Sequence, residues 1–499
     1  MNLHAMSFFP SRHSFIEQAK AGIIRPVYLE IPFIQPVEAF LQLSQNPCFF
    51  FDSARGPYAT ARYSFIGIEP FLTVTLRKGT AEANRLAQTL EGDSLSVLKG
   101  LMQKYKVTGH DELPPFPGGA ACLINYDFVR YIENIPAQAR DDLNLAEAYI
   151  LFVDSTVSFD MERRQAWIQA CPGAKSAYLK EGKPSEDSWG RHYDEACCNI
   201  AELYQRLKHN SAVTGPQLSK QERIVITHEM DKQSYMDIVR RAKEYIRAGD
   251  IFQANLSQRL AARVDHVDPV EVYTLLRKIN PSPFAAYMAL GDNLYIVSSS
   301  PERLVQVHHD GIVETRPIAG TRPRGADMEG DKLMRAELLL NHKERAEHIM
   351  LIDLERNDLG RISEYGSVVV NELMTTEDYS HVIHIVSNIQ GRLRQGRDCI
   401  DVIKAVFPGG TITGVPKVRC MEIIDELEPV ARGPYTGSLG YISFTGDMDL
   451  NIIIRTIVMK DGMAYVQAGA GIVADSDPER EYYETLSKAE ALIQTLKRL

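Results

Sequence analysis

Two pairs of glutamates, each separated by three residues, lie in segments that are expected to be helical. Glu344 and Glu347 form the first pair, and Glu481 and Glu484 form the second. Residues i and i+3 project from one face of a helix, so each pair presents its carboxylates together. If the two helices face each other, four carboxylates converge and repel one another unless a cation lies between them. Oxygen ligands alone favour Mg²⁺ or Ca²⁺ over zinc, although E-x-x-E is also common on solvated helix faces.

A segment of small residues precedes the second pair. Gly469, Ala470 and Gly471 come shortly before the predicted C-terminal helix, and Lys488 follows Glu484 by one helical turn. Small residues allow backbone N–H groups to approach and hold an anion such as a carboxylate. The alternative is a Gly-rich turn followed by a charged, solvated helix face. The segment therefore predicts a carboxylate site beside the acidic pair, with that alternative left open.

Apolar periodicity predicts the elements that must position these side chains. Apolar residues at helical spacing from Tyr235 to Ile246 predict a helix that ends at Gly249. A strand, a long helix with the first glutamate pair, and a final helix are predicted at 251–260, 328–359 and 477–499. In the first half, short apolar runs predict strands at 48–51, 61–67, 71–76, 119–124, 149–159 and 165–170. Strands and helices that do not alternate strictly indicate an α+β fold.

The chain of 499 residues is long enough for more than one domain. We interpret residues 1–170 as an N-terminal domain and residues 222–499 as a catalytic domain. The polar stretches between them are rich in Gly, Pro, Ser and Lys. They predict a linker over 171–221 that contains one helix at about 189–208.

Composition excludes several classes of protein. The formal net charge of −10 and the pI of about 5.8 disfavour nucleic-acid binding, which needs a surplus of Lys and Arg. No run of about 18 apolar residues predicts a membrane-spanning helix, and the first residues do not resemble a signal peptide. Seven cysteines without a C-x-x-C pair predict reduced, mostly buried thiols and no zinc site. The cytoplasm is therefore the expected location.

Seven motifs in the second half resemble those of the chorismate-binding family, which includes anthranilate, aminodeoxychorismate, isochorismate and salicylate synthases. In order, they are GDIFQ at 249–253, SPER at 300–303, RPIAGT at 316–321, Glu347-His348, DLERNDLG at 353–360, FPGGT at 407–411 and the segment that begins at Gly469. The resemblance covers roughly 221–499, and the N-terminal half matches more loosely. It implies an α+β fold like that of anthranilate synthase component I, an antiparallel β-sheet sandwich flanked by helices.

The resemblance also implies a metal site and a substrate site. One Mg²⁺ would bridge the acidic helices and the ring carboxylate of chorismate, with Glu347 and Glu484 as direct ligands and Glu344 and Glu481 beside them. A dianionic substrate enters an acidic pocket only when a hard cation lies between the charges. The side-chain carboxylate of the substrate would be bound by cationic groups and N–H or O–H donors: Arg455, Tyr435, Lys488 and the backbone of Gly469, Ala470 and Gly471.

By the same resemblance, Glu302 is the general acid that protonates the leaving 4-hydroxyl group while a nucleophile adds at C2. Burial is expected to raise the pKa of this carboxyl toward neutrality. Gly320 and Thr321 would line the substrate ring, and His384 would lie against it.

Two positions bear on the nucleophile and the product. Isochorismate and salicylate synthases carry a Lys, the base for water, where this chain has Gln253. An amide cannot deprotonate water, so ammonia is the expected nucleophile. At Ala319, many aminodeoxychorismate synthases place a nucleophilic Lys, whereas anthranilate synthases, and some aminodeoxychorismate synthases, have Ala. Asn255 and the segments at 409–414 and 448–452 instead resemble aminodeoxychorismate synthases.

We therefore predict 4-amino-4-deoxychorismate as the product, with anthranilate and pyruvate as the alternative. A third and remote alternative is a catalytically silent paralogue that binds ligand and regulates a partner. The chain has no Cys–His–Glu glutaminase signature. The resemblance therefore implies a separate glutamine amidotransferase subunit that delivers ammonia.

A second ligand site is implied in the N-terminal half. Anthranilate synthases bind tryptophan at positions that match Ser53, Pro283, Phe284 and Ala285 in this chain. Phe284-Ala285 departs from the usual Tyr-Met, which leaves feedback inhibition by tryptophan an open question.

Overall fold

The computed structural model describes residues 6–44, 48–57, 60–84, 93–179, 188–209, 224–325, 327–378 and 382–499. In these segments, strands form two large antiparallel sheets, and helices cover their outer faces. The predicted α+β class and the β-sheet sandwich flanked by helices are confirmed. No described helix has the length and the apolar character that crossing a membrane requires.

The strands of the first half alternate with few helices. They are β1 (Val27–Ile31), β2 (Cys48–Asp52), β3 (Tyr63–Ile68), β4 (Leu72–Arg77), β5 (Thr80–Ala83), β6 (Gly119–Ile124), β7 (Ala148–Val153), β8 (Ser155–Asp160) and β9 (Gln165–Ala170). The helices are α1 (Arg12–Lys20), α2 (Pro36–Leu43), α3 (Ser94–Gln103), α4 (Ala174–Leu179) and α5 (Trp189–His209).

The second half supplies the longer elements. Its strands are β10 (Ile226–His228), β11 (Gln253–Arg263), β12 (Phe284–Gly291), β13 (Leu294–Ser300), β14 (Arg303–Val307), β15 (Ile312–Thr315), β16 (Ile318–Pro323), β17 (Val369–Asp378), β18 (Val382–Arg392), β19 (Gly414–Val415), β20 (Ser438–Ser443), β21 (Met448–Ile452), β22 (Thr456–Lys460) and β23 (Met463–Ile472). Its helices are α6 (Lys232–Ala248), α7 (Pro269–Ile279), α8 (Met328–Leu340), α9 (His342–Gly360), α10 (Cys399–Val406), α11 (Lys417–Leu427) and α12 (Pro478–Lys497).

Both sheets contain strands from both halves of the chain. The order in the first sheet is β1-β9-β8-β3-β2-β12-β13-β22-β23-β11-β10, with β19 also beside β11. The order in the second sheet is β16-β18-β15-β14-β21-β20-β6-β7-β4-β5, with β17 beside β18. The halves join where β2 pairs with β12 and where β6 pairs with β20. The N-terminal and catalytic segments therefore share one β framework.

The inner faces of the two sheets meet in an aromatic core. Phe65 and Phe116 pack there against Tyr441, and the rings of Phe116 and Tyr441 stack with their centroids 4.5 Å apart. Buried residues of α1, α2, α5, α7 and α12 cover the outer face of the first sheet, and residues of α3 and α10 cover that of the second. Burial of so many large side chains is the main stabilising contribution to the sandwich.

Three predicted elements differ from the structure. The single strand predicted at 149–159 is two strands, β7 and β8, which lie in different sheets. Both are buried on both faces, so no change of periodicity marks the crossing at Asp154. The predicted linker contains a second helix, α4, which packs through Ala174 and Tyr178 into the core.

The third difference concerns the helix that carries the first acidic pair. The predicted helix at 328–359 is broken at Asn341 into α8 and α9. The Asn341 side chain accepts a hydrogen bond from the Glu344 N–H at 3.1 Å and so caps the start of α9. Asn followed three residues later by Glu is a helix-start signature, so the sequence contained this signal.

The other acidic helix begins where it was predicted to begin. The Asp477 side chain accepts hydrogen bonds from the N–H groups of Glu479 and Arg480, and Pro478 occupies the first helical position. These local interactions determine the helical phase, and thus the direction of Glu481 and Glu484. The predicted end of α6 also agrees with the structure, because Gly249 adopts a left-handed conformation there with φ of 84°.

Candidate active site

The candidate site lies at one end of the ladder between β11 and β23, where Asn255 pairs with Gly471. A Cβ atom on Gly471 would lie 2.6 Å from Gln253 Nε2, and one on Gly469 would lie 2.4 Å from Asn255 Oδ1. Real Cβ atoms do not approach other atoms so closely. The two glycines therefore make room for the side chains of Gln253 and Asn255.

This placement corrects the expected position of the small-residue segment. Gly469, Ala470 and Gly471 lie inside β23 and not in a turn before the helix. Gly and Ala have low strand propensity, so the pattern resembled a turn. β22 pairs with β23 only as far as Val466, so beyond this point β22 does not cover that edge of β23. The binding of a carboxylate by these N–H groups stays a prediction.

Lys488 and Tyr435 face the same glycine. The Lys488 Nζ lies 3.1 Å from the Gly469 carbonyl oxygen and 2.8 Å from Glu484 Oε1. The hydroxyl oxygen of Tyr435 lies 2.7 Å from the position that a Cβ atom on Gly469 would take. The structure thus brings an ammonium group and a phenol together beside the ladder, and their binding of a carboxylate stays a prediction.

Arg455 completes this group, and its charge is the least compensated of the three. Its guanidinium donates to the backbone carbonyl of Lys488 but forms no salt bridge with any carboxylate in the described segments. Burial lowers the pKa of Arg455, and Tyr435 opposes this effect. A buried cation without an anion is energetically costly. The arrangement therefore calls for a negatively charged ligand.

Glu302 lies immediately before β14, with 7% of its surface exposed. Its N–H lies 3.3 Å from Ser300 Oγ, which orients the turn. Burial raises the pKa of Glu302 to about 7, against the opposing effects of Thr411, the Ile318 N–H and Lys488. A large fraction of this carboxyl therefore keeps its proton at neutral pH, as a general acid requires.

Gly320 and His384 lie together on neighbouring strands. The ring of His384 lies with Nδ1 3.2 Å from the Gly320 carbonyl oxygen. Burial lowers the pKa of His384 to about 4, so the imidazole is neutral at pH 7. A Cβ atom on Gly320 would lie 2.3 Å from Glu344 Oε2, and its φ of 63° also favours glycine. The backbone of Thr321 pairs with His384, and its side chain lies outside what the structure describes.

The first acidic pair reaches this region from α9. Glu347 Oε1 lies 3.4 Å from Gln253 Nε2, and Glu344 forms a salt bridge of 2.7 Å with Arg322. Across the described ranges, no three His, Cys, Asp or Glu side chains gather closely enough to hold a metal ion. Glu344 and Glu484 instead pair with basic side chains, Arg322 and Lys488.

The chemistry of the two pairs nevertheless fits the predicted ion. Glu344, Glu347, Glu481 and Glu484 supply only carboxylate oxygens, the donors that Mg²⁺ prefers. Glu344 Oε2 is buried and has no hydrogen-bond partner among the described residues. A hard cation would satisfy this oxygen.

Several other buried polar atoms of the site share this property. Gln253 Oε1, Asn255 Oδ1, Glu302 Oε1 and Thr411 Oγ have no hydrogen-bond partner in the part of the chain described. Buried polar atoms in folded proteins are almost always hydrogen-bonded. A polar ligand or water would supply the hydrogen bonds that these atoms lack.

A buried ion pair that was not predicted from the sequence supports β11. Arg432 and Glu428 are buried and lie 2.7 Å apart. Burial alone would lower the pKa of Arg432. The charge of Glu428 and its hydrogen bond oppose this effect, and the pKa is raised overall. Glu428 also accepts from the N–H and hydroxyl of Ser257, while Arg432 donates to the Asn255 carbonyl. The i, i+4 spacing of Glu428 and Arg432 is visible in the sequence, but no neighbouring residue indicates that the pair is buried.

The predicted tryptophan positions lie together in a separate place. Ser53, Pro283, Phe284 and Ala285 line one cavity of about 450 Å³ between the two sheets. The Ser53 hydroxyl donates to the Tyr63 carbonyl at 2.6 Å, so it is already engaged. The four residues thus share a cavity, and the identity of its ligand stays a prediction.

Comparison with known proteins places this architecture in a family. A family model described as chorismate binding enzyme matches residues 46–494. The anthranilate synthase component 1 of Acetivibrio thermocellus is 41% identical over 98% of this chain and 99% of its own length. The aminodeoxychorismate synthase component 1 of Bacillus subtilis is 41% identical over 95% of this chain and 97% of its own length.

A solved structure agrees with these relatives. The crystal structure of anthranilate synthase component I from Streptococcus pneumoniae matches with a TM-score of 0.73 and 35% identity, over 86% of this chain and 91% of that one. The chain belongs to the chorismate-binding enzyme family.

Proposed function

We propose that this protein aminates chorismate with ammonia in a reaction that requires Mg²⁺. Arg455 carries the proposal, because it is a buried guanidinium with no carboxylate partner among the described residues. It lies beside Lys488 and Tyr435. A planar guanidinium can bind both oxygens of a carboxylate. The side-chain carboxylate of chorismate would supply the missing negative charge.

The ring carboxylate of chorismate is a second negative charge, and it must bind close to the acidic pairs. Glu344, Glu347, Glu481 and Glu484 would hold Mg²⁺, with Glu347 and Glu484 as direct ligands. When bound, the ion neutralises the ring carboxylate and allows a dianion to remain in an acidic pocket.

Glu302 would donate a proton to the leaving 4-hydroxyl group, because hydroxide is a poor leaving group. Its pKa of about 7 keeps this proton available at neutral pH. His384 is neutral, since its pKa is about 4, and would lie against the ring without adding charge. Gln253 cannot deprotonate water, which favours ammonia as the nucleophile. Ammonia that adds at C2 as the 4-hydroxyl leaves gives a 2-amino compound, and a second ammonia that adds at C4 as the C2 amine leaves would give the 4-amino product.

We propose 4-amino-4-deoxychorismate as the product. Asn255 supports this branch, because anthranilate synthases usually have an apolar residue at this position. Its side chain faces Gly469 inside the site. Anthranilate is the second candidate. Ala319, on β16 opposite Ile385, favours it, since an alanine cannot act as the covalent nucleophile found in many aminodeoxychorismate synthases.

We also propose that ammonia comes from a separate glutamine amidotransferase subunit and that the complex works in the cytoplasm. The component 1 names of both relatives support a partner subunit. The cavity at Ser53 and Phe284 would be the tryptophan pocket of the family.

Product analysis tests the proposal. The purified chain is mixed with chorismate, MgCl₂ and ammonium at pH 8, and anthranilate is followed by its fluorescence. A parallel reaction receives aminodeoxychorismate lyase, and 4-aminobenzoate is measured by chromatography. We expect 4-aminobenzoate only when lyase is present, and no anthranilate.

The remaining outcomes each reject a stated part of the proposal. Fluorescent product without lyase would select anthranilate synthase. No product in either reaction, with chorismate binding retained, would select the silent paralogue. Undiminished turnover after treatment with EDTA would reject the requirement for Mg²⁺.

A further inference from the structure

Arg432 lies between two segments that border the candidate site. Its Nη2 donates to the Asn255 carbonyl at 2.7 Å, and its Nη1 donates to the Ile412 carbonyl at 3.0 Å. Asn255 belongs to β11, and Ile412 ends the short 3₁₀ turn Gly410–Ile412. One guanidinium group therefore binds the backbone of both segments.

The two carbonyls lie where direct backbone pairing between these segments stops. The Asn255 N–H still donates to the Thr413 carbonyl at 2.9 Å, and β19 pairs with β11 beyond it. The Asn255 and Ile412 carbonyls are both acceptors, so they cannot bond to each other. The rigid fork of an Arg side chain offers separate donors to both. Arg432 therefore takes the place of the next bond and fixes the spacing of the two segments.

The turn that Arg432 holds lies against the segment of Glu302, the proposed acid. A Cβ atom on Gly409 would lie 3.0 Å from Ile452 Cδ1 and 3.3 Å from Leu304 Cδ1. The Ile452 N–H donates to the Glu302 carbonyl at 3.0 Å, and Leu304 follows Glu302 by two residues. A shift of the turn relative to β11 would therefore disturb the position of Glu302 relative to the side chains of that strand.

Arg432 is itself held in place by a carboxylate and by two aromatic rings. Glu428 accepts hydrogen bonds from its Nε and Nη2, at 2.9 and 2.7 Å, and balances its charge. The guanidinium lies 5.0 Å from the ring centroid of Tyr126 and 5.5 Å from that of Tyr435. Only 2% of the Arg432 surface is exposed. Tyr435, a proposed ligand of the substrate carboxylate, therefore packs on the same guanidinium.

We propose that Arg432 is a positioning residue that holds β11 at Asn255 and the 3₁₀ turn beside Glu302 at the spacing that turnover requires. The inference rests on the proposed amination and on Glu302 as its acid. Arg432 acts through groups that contact the substrate. Its loss should therefore raise the energy of the transition state, in which the acid and the substrate must be aligned. Binding of chorismate through Arg455 and Mg²⁺ should change little.

Arg432→Lys tests this role, because it keeps a positive charge opposite Glu428 but lacks the planar fork. Chorismate binding is measured by titration calorimetry with Mg²⁺ present, which gives the number of binding sites per chain. The value of kcat is then divided by that number. Arg259→Lys is the matched control, since Arg259 is also buried on β11 and is paired with Asp142 and Glu229.

The number of binding sites separates positioning from a merely structural role. In Arg432→Lys, kcat per binding site should fall at least about tenfold, while the Kd of chorismate changes less than threefold. Arg259→Lys should change neither value, even where it lowers the number of sites. A structural role of Arg432 would lower the number of sites and leave kcat per site unchanged, which would overturn the inference. An equal fall of kcat per site in both variants would also overturn it.

A second variant covers the case in which Arg432→Lys does not fold. Arg432→Met combined with Glu428→Gln removes the fork and leaves no unpaired buried charge, so we expect the fold to persist. The same loss of kcat per site is expected, and a native value would contradict the inference. In all these cases the native enzyme turns over and the proposed function stands. Absence of turnover in the native enzyme would reject the proposed function, and the inference with it.

Discussion

The active site and the cavity between the sheets differ in how their buried charges are compensated. In the cavity, Arg303 is held by Asp449 through two contacts of 2.9 and 3.0 Å, and Asp52 is bound by Arg277 and Tyr273. In the active site, Arg455 has no acidic partner among the described residues. The cavity pairs these charges within the fold, whereas the active site leaves the charge of Arg455 for a ligand.

This difference has a physical consequence for stability. A buried ion pair is strongly destabilised when one partner is removed, because the other charge remains without compensation. An unpaired buried charge already destabilises the fold, so its removal costs little. Substitutions in the cavity should therefore affect unfolding, and substitutions in the active site should affect turnover.

Glu302→Gln should have the largest effect. The amide has nearly the same shape as the acid but cannot protonate the leaving hydroxyl, so kcat should fall about 10³-fold. Chorismate binding, measured by titration calorimetry with Mg²⁺ present, should persist. A variant that still turns over would remove Glu302 from the role of acid.

Glu347→Gln or Glu484→Gln should reduce turnover at least about 100-fold at millimolar Mg²⁺, because each removes one charged ligand of the ion. Circular dichroism should show an unchanged fold. Raising the Mg²⁺ concentration should recover part of the activity. Full activity of either variant at low Mg²⁺ would contradict the metal assignment.

Arg455→Gln should lower kcat/KM about 100-fold, mainly through KM, because a charged bond to the substrate carboxylate is lost. The free energy of unfolding, from urea titration, should stay the same or rise. A large loss of stability would show that the charge of Arg455 is compensated within the fold. The active site would then not differ from the cavity in this respect.

Asp52→Asn should show the reverse pattern. Asp52 is buried, and its loss leaves Arg277 without a counter-charge, so the free energy of unfolding should fall by about 3 kcal/mol. Turnover per folded molecule should change less than threefold. A loss of turnover with normal stability would mean that the cavity acts directly on the active site.

Much of the local structure could be predicted from the sequence. The start of α12 at Asp477–Pro478 and the end of α6 at Gly249 agree with the structure, because caps depend on neighbouring residues. The break at Asn341 was missed, although its capping signal is also local. The crossing at Asp154 could not be predicted, because two fully buried strands have the same apolar pattern as one long strand.

The acidic pairs, the ordered motifs and the residue types of the site are properties of the chain, and they identified the family and the candidate residues. Only the tertiary structure placed Gly469 and Gly471 inside a strand, against Asn255 and Gln253. It also determined that Arg455 and Glu302 are buried. The reason is that pKa values and charge satisfaction depend on desolvation and on neighbours from distant parts of the chain, which pair only when the two sheets form.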